Sequence, residues 1–275
     1  MSVRRQLFRI LLLLTCGYSL YAGLTWSKQM DIVFPGRHRT PDAHAERQRA
    51  RGESLQSDRP DRRALLFRAA AADAPLVVIA HGNGEIAEDW VPDAVELSQR
   101  GAHVLVVEYP GYGGLPGPPT QPAIRAAFEE GLDAALAALA PARPVVVGVG
   151  YSLGAAVIAD LSRSRPIDAM VLHAPFRSLG HMALRRALPP ALVQNPFDTL
   201  TAIREFRGRV TVVHGLEDVT IPAAEGRAVA AAAPRGAFIG IPNSGHEAGL
   251  EDWAAACDRI LEHGKAGFTS QDALR

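Results

Sequence analysis

A chain of 275 residues, 48% hydrophobic and 21% charged, has an ordinary globular composition with enough length for one α/β domain and a large core. Its formal net charge of zero argues against a nucleic-acid binder driven by phosphate neutralisation, and its two cysteines, Cys16 and Cys257, argue against a disulfide framework. The nine histidines are scattered, with no Cys pair and no His-Glu-x-x-His, so no metal and no other cofactor is expected.

The zero net charge hides an asymmetry. Residues 1–68 carry 13 Lys+Arg against 6 Asp+Glu, and the remainder 16 against 23. At the very front, Arg4, Arg5 and Arg9 precede an uncharged run, residues 10–26. A basic leader before an apolar run is the form of a secretory signal or a signal anchor. No small-x-small cleavage site follows the run, which favours retention as a transmembrane anchor over residues 1–30. Tyr18, Tyr21 and Trp26 suit an interfacial belt. Arg4-Arg5 resembles a twin-arginine signal, and Leu13-Leu14-Thr15-Cys16 resembles a lipoprotein box with a poor residue before the cysteine. The plainer alternative is a core helix that happens to be apolar. Arginines and lysines flank both ends, so charge does not decide orientation. The usual dominance of a first helix places the rest of the chain outside the cytoplasm.

Residues 31–64 are expected to form a polar linker. The stretch 35–63 is rich in Arg, Asp and Pro, with room for a short helix around residues 43–52. From residue 65 the pattern changes to short apolar runs alternating with longer amphipathic stretches. That alternation is the sequence form of a mostly parallel sheet with helices on both faces. Strands are expected over residues 75–80, 102–107, 144–149, 169–173, 210–214 and 237–241. These runs are continuous rather than alternating, as in strands buried on both faces. Helices are expected over 86–100, 120–140 and 153–162, with Thr120 as an N-cap.

Chemistry concentrates where these strands end. Gly150-Tyr151-Ser152-Leu153-Gly154 follows a strand and opens a helix. In that setting G-x-S-x-G describes a nucleophile elbow, a sharp turn that lifts a serine hydroxyl above the sheet edge. The Leu153 N–H behind it is placed to stabilise an oxyanion. Serine needs a base oriented by an acid, and here these are expected downstream in the order acid, then histidine. His214-Gly215-Leu216-Glu217-Asp218 supplies the acid after the strand at 210–214, Asp218 being preferred to Glu217. Gly245-His246 follows the strand at 237–241 and supplies the base. His263, in Glu262-His263-Gly264, reads instead as the end of a helix. His81-Gly82-Asn83-Gly84 after the first long strand is expected to present a second oxyanion donor, the Asn83 N–H.

Over residues of about 75 to 250 these motifs resemble the α/β-hydrolase superfamily, and most closely its small membrane-anchored abhydrolase subgroup. The resemblance rests on His81-Gly82-Asn83, Glu108-Tyr109-Pro110-Gly111-Tyr112-Gly113, Gly150-Tyr151-Ser152-Leu153-Gly154, Ala174-Pro175-Phe176-Arg177-Ser178-Leu179, Phe197-Asp198, His214 to Asp218 and Gly245-His246. It implies an α/β-hydrolase fold over residues 65–275 and a serine hydrolase cleaving ester or thioester bonds. It also implies that Tyr109 and Tyr112 border the pocket, the alternative being a Gly/Pro turn with packed tyrosines. Glu85 and Glu247 depart from the family pattern. Between residues 173 and 210 there is room for a thin cap only, with Leu179, Met182, Leu188, Leu192 and Val193 available to line an acyl pocket. The expected partners are an acyl substrate and a membrane, with no nucleic acid. Peptidase or acyltransferase chemistry on the same triad stays open, as does an inactive binding scaffold.

Overall fold

The computed structural model describes residues 3–250 and 253–265. Its first element is α1 (Val3–Ser27), which leads through α2 (Gln29–Val33) and a 3-10 turn at Pro35–His38 into α3 (Ala43–Arg49). The sheet strands follow in chain order: β1 (Glu53–Leu55), β2 (Ala64–Phe67), β3 (Leu76–Ala80), β4 (His103–Val107), β5 (Val146–Tyr151), β6 (Ala169–His173), β7 (Arg209–Gly215) and β8 (Gly236–Ile241). They stand side by side in the order β1-β2-β4-β3-β5-β6-β7-β8. β1 and β2 run antiparallel and the other six are parallel. All six strands read from the sequence are present.

Helices α4 (Val91–Gln99) and α10 (Trp253–Lys265) cover one face of the sheet. The other carries α5 (Gln121–Ala138), α6 (Leu153–Leu161), α8 (Thr199–Glu205) and α9 (Ala223–Ala232). The pleat divides each inner strand between the two cores. In β3, Leu76, Val78 and Ala80 face α5 and α6, whereas Val77 and Ile79 face α4 and α10. Both faces are thus apolar, which is why these strands read as unbroken hydrophobic runs. Between β6 and α8 lie only α7 (Leu179–Leu184) and a 3-10 turn at Pro190–Leu192. These form the cap.

Two regions differ from the sequence reading. β2 was not expected, because four apolar residues between Arg63 and Arg68 show no period until β4 is there to pair them. The segment read as a polar linker is not a free spacer. Phe34 is fully buried, α3 forms, and β1 pairs with β2. Several of its arginines look solvated in sequence but are partnered in space. Arg49 Nη2 and Arg63 Nη1 reach Glu88 Oε1 at 2.7 and 3.0 Å, and Arg62 Nε reaches Glu130 Oε2 at 3.1 Å.

α1 is a single helix of 25 residues whose apolar side chains stay exposed, and among the described residues it is the one helix long and apolar enough to cross a membrane.

Candidate active site

Each motif residue sits at the carboxyl edge of the sheet. The chain passes from β3 to β4 on one side, then crosses back to β5 on the other, so β3 and β5 flank the point where the winding reverses. Loops diverge at such a point and leave a crevice. The loops leaving β3 and β5 carry Asn83 and Ser152, and both residues line one cavity of about 280 Å³ together with Leu153 and His246.

Ser152 joins β5 to α6 with φ 54° and ψ −113°, a conformation unusual for a residue bearing a Cβ. The geometry needs close packing behind it: a Cβ on Gly154 would lie 1.9 Å from the carbonyl oxygen of Ala80. The Ser152 N–H donates to the His173 carbonyl on β6 at 2.9 Å, which ties the strained turn to the neighbouring strand.

His246 stands between Ser152 and Asp218. Its Nε2 stands 3.1 Å from Ser152 Oγ and its Nδ1 stands 2.7 Å from Asp218 Oδ2. Asp218 is almost wholly buried, and its other oxygen, Oδ1, accepts from the N–H groups of Thr220 and Ile221, both at 2.8 Å. The carboxylate is therefore fixed before it meets the histidine. Glu217 points to solvent. Three residues separated in the chain by up to 94 positions are brought into one hydrogen-bonded line.

Of the other histidines, His214 lies buried beside the same carboxylate, its Nε2 3.3 Å from Asp218 Oδ2 and 2.7 Å from the Ile221 carbonyl oxygen, while His263 and His173 stand apart from the line. His263 lies in α10 with Nε2 3.0 Å from Thr211 Oγ1. His173 is fully buried, and burial lowers its pKa to about 4, so it is neutral beneath the serine turn.

The Asn83 loop is braced from three sides. Glu85 Oε2 accepts from the Gly82 N–H at 2.6 Å and from Trp90 Nε1 at 3.0 Å, so this departure from the family pattern holds the turn. The Asn83 carbonyl accepts from Gly36 N–H at 3.0 Å and from the Tyr112 hydroxyl at 2.9 Å, and Asn83 Nδ2 donates to the Val33 carbonyl. With side chain and carbonyl committed, the backbone N–H groups of Asn83 and Leu153 have no protein acceptor among the described residues.

Tyr109 and Tyr112 do not border the cavity, contrary to what the resemblance implied. Both are fully buried under the loop, donating to the carbonyls of His81 and Asn83. Glu108, quoted from the sequence as part of a motif but given no role there, anchors this layer. Its carboxylate accepts from the Tyr109 and Ala87 N–H groups and meets His81 Nε2 at 2.9 Å. Burial is the largest single influence on His81 and lowers its pKa, but the Glu108 charge and the hydrogen bonds to Glu108 and the Gly82 backbone together outweigh it, and the net shift is upward. A glutamate directly after a buried strand was the available signal.

Comparison with known proteins agrees with this architecture. Residues 77–207 match the model of the "Alpha/beta hydrolase family". The uncharacterized protein Rv2307c of Mycobacterium tuberculosis is 30% identical over 236 residues, covering 80% of this chain and 81% of that protein. The chain belongs to the α/β-hydrolase family. Human alpha/beta hydrolase domain-containing protein 17C is 24% identical over 203 residues, spanning 72% of this hydrolase and 60% of that protein. Among solved structures, the esterase Est1E of Butyrivibrio proteoclasticus, with ferulic acid bound, superposes with a TM-score of 0.61 at 15% identity, covering 76% and 96% of the two chains. A monoacylglycerol lipase of Paleococcus ferrophilus superposes at 0.54 and 16% identity, covering 74% and 99%. These likenesses extend the fold. Membership of the α/β-hydrolase family supports a hydrolase.

Proposed function

We propose that this α/β-hydrolase is a serine hydrolase of carboxylic esters or thioesters, working through a covalent acyl-enzyme on Ser152. The observation that carries the reading is the line Ser152 Oγ, His246, Asp218, with hydrogen-bond distances of 3.1 and 2.7 Å. His246 Nε2 takes the proton from Oγ as Oγ bonds to the acyl carbon. The carbonyl oxygen becomes an oxyanion, for which the N–H groups of Asn83 and Leu153 are the donors. The intermediate collapses, the alcohol or thiol leaves with the proton from His246, and a serine ester remains. Water, deprotonated by the same nitrogen, then attacks that ester and releases the acid. Asp218 keeps His246 in the tautomer that accepts at Nε2 and steadies its charged form.

The test is hydrolysis of p-nitrophenyl butyrate. Ser152→Ala should abolish turnover while leaving the melting temperature close to that of the parent, because the hydroxyl donates to no structural partner. A folded Ser152→Ala protein with parental turnover would refute the reading.

The exposed apolar α1, its basic leader and the absence of a cleavage site support membrane attachment, with the catalytic domain on the extracytoplasmic face. Cell fractions washed in high salt and then carbonate should retain the protein in the membrane pellet, and a reporter fused after Arg275 should be active only outside the cytoplasm. Soluble protein with a new N-terminus beyond Trp26 would contradict attachment, and a silent reporter on a membrane-held protein would contradict the orientation.

A further inference from the structure

The cavity beside Ser152 is not closed by the hydrolase domain alone. One side is the cap, with Phe176, Leu179 and Met182, and the opposite side is the N-terminal segment, with Ala22, Trp26 and Ile32. Arg186 is the one Arg, Lys, Asp or Glu side chain among its described lining residues, and most of the others are apolar.

The contact between α1 and the cap is specific. Tyr18 Oη donates to the Ala187 carbonyl at 2.9 Å and Tyr21 Oη to the Arg186 carbonyl at 2.8 Å. Gln29 Nε2 donates to the Leu192 carbonyl at 2.6 Å, and Gln29 Oε1 accepts from Gln194 N–H at 3.0 Å. Residues 18, 22 and 25 fall on one stripe of α1, four and three apart, and that stripe, continued by Gln29 at the start of α2, faces the cap and the cavity. The other faces of α1, with Leu11, Leu13, Leu14, Leu20 and Leu24, remain exposed.

The lengths then constrain the seating. The part of α1 before Tyr18, residues 3–17, spans about 22 Å at helical rise, short of the roughly 30 Å of a hydrocarbon core. An α1 that crosses a bilayer therefore takes the docked cap edge, including the exposed Leu184, into the membrane beside it. The cavity, lined on one side by α1 and on another by α7, is then carried to the level of the acyl chains.

We propose that α1 is a wall of the substrate site: a single fatty acyl chain of a membrane ester enters between α1 and α7 to reach Ser152, and Ala22 and Trp26 set the chain length accepted. This rests on the assignment of Ser152 as nucleophile. A phenyl group at position 22 occupies space the chain would fill, whereas loss of the Trp26 indole enlarges it.

The experiment uses the full chain reconstituted in phosphatidylcholine vesicles, comparing kcat/KM for p-nitrophenyl dodecanoate and butyrate. Ala22→Phe should lower the dodecanoate-to-butyrate ratio at least about tenfold, the scale on which an apolar pocket discriminates by size. Trp26→Ala should raise the ratio. Leu14→Phe, on the same helix but away from the cavity, should leave it unchanged. Should Ala22→Phe fail to fold, Trp26→Ala decides alone. A ratio unmoved by the folded cavity variants, or moved equally by Leu14→Phe, would overturn the proposal. Fluorophosphonate labelling of each protein separates the two assignments: a parent that does not label refutes the nucleophile, whereas normal labelling with an unmoved ratio refutes the wall.

Discussion

Asp218, the proposed acid, shows how tightly one atom's environment can determine a role. Asp218 Oδ1 is occupied by two backbone N–H groups, so Oδ2 is the oxygen that faces His246. An amide at this position must keep its oxygen on those N–H groups and turn its NH₂ toward Nδ1. His246 would then accept at Nδ1 and carry its proton at Nε2, the tautomer that cannot take a proton from Ser152. Asp218→Asn should therefore lower kcat by about 10⁴-fold, the loss associated with a wrong-tautomer base, with little change in stability. Glu217→Gln, at an exposed neighbour, should leave kcat near the parent value. Steady-state kinetics on a short p-nitrophenyl ester distinguish the two, and the reverse pattern would mean the other carboxylate is the acid. The candidate residues themselves were readable from sequence because G-x-S-x-G, the acid and the histidine each follow an apolar strand run. The roles of Glu108 and of the two tyrosines were not. Whether a tyrosine after a strand faces a cavity or packs beneath a loop depends on neighbours that come from elsewhere in the chain.

At the level of elements, the strands that carry the site could be read because burial on both faces leaves an unbroken apolar run, visible without a partner. β1 and β2 are the opposite case: three and four residues long, they acquire meaning only through pairing. The stretch 31–64 was hardest to read, since its charges look like those of a solvated segment until Glu88 and Glu130 are seen opposite them. That stretch supports the site. Gly36 lies so near the Asn83 loop that an added Cβ would stand 2.6 Å from the Tyr112 ring and 2.9 Å from the Asn83 carbonyl oxygen. Gly36→Ala should cost about 1–3 kcal/mol, as overpacking of a close contact does, and should lower kcat by displacing Asn83. Chemical denaturation together with ester turnover checks both effects. A variant as stable and as active as the parent would show that the loop does not depend on this segment.

Across the whole molecule, the sheet edge, the cap and α1 meet at one cavity. The apolar character of α1 was plain in sequence, but its docking on the cap was not, because Tyr18 and Tyr21 find their acceptors more than 160 positions away. The serine at the centre of that assembly is the claim on which the rest depends. Its most direct test is to treat the detergent-extracted full chain with a fluorophosphonate and map the adduct by peptide mass spectrometry. One phosphonyl group should appear on Ser152, and labelling should disappear in the Ser152→Ala protein. An adduct on another residue, or a folded, ester-hydrolysing protein that takes up none, would contradict the assignment.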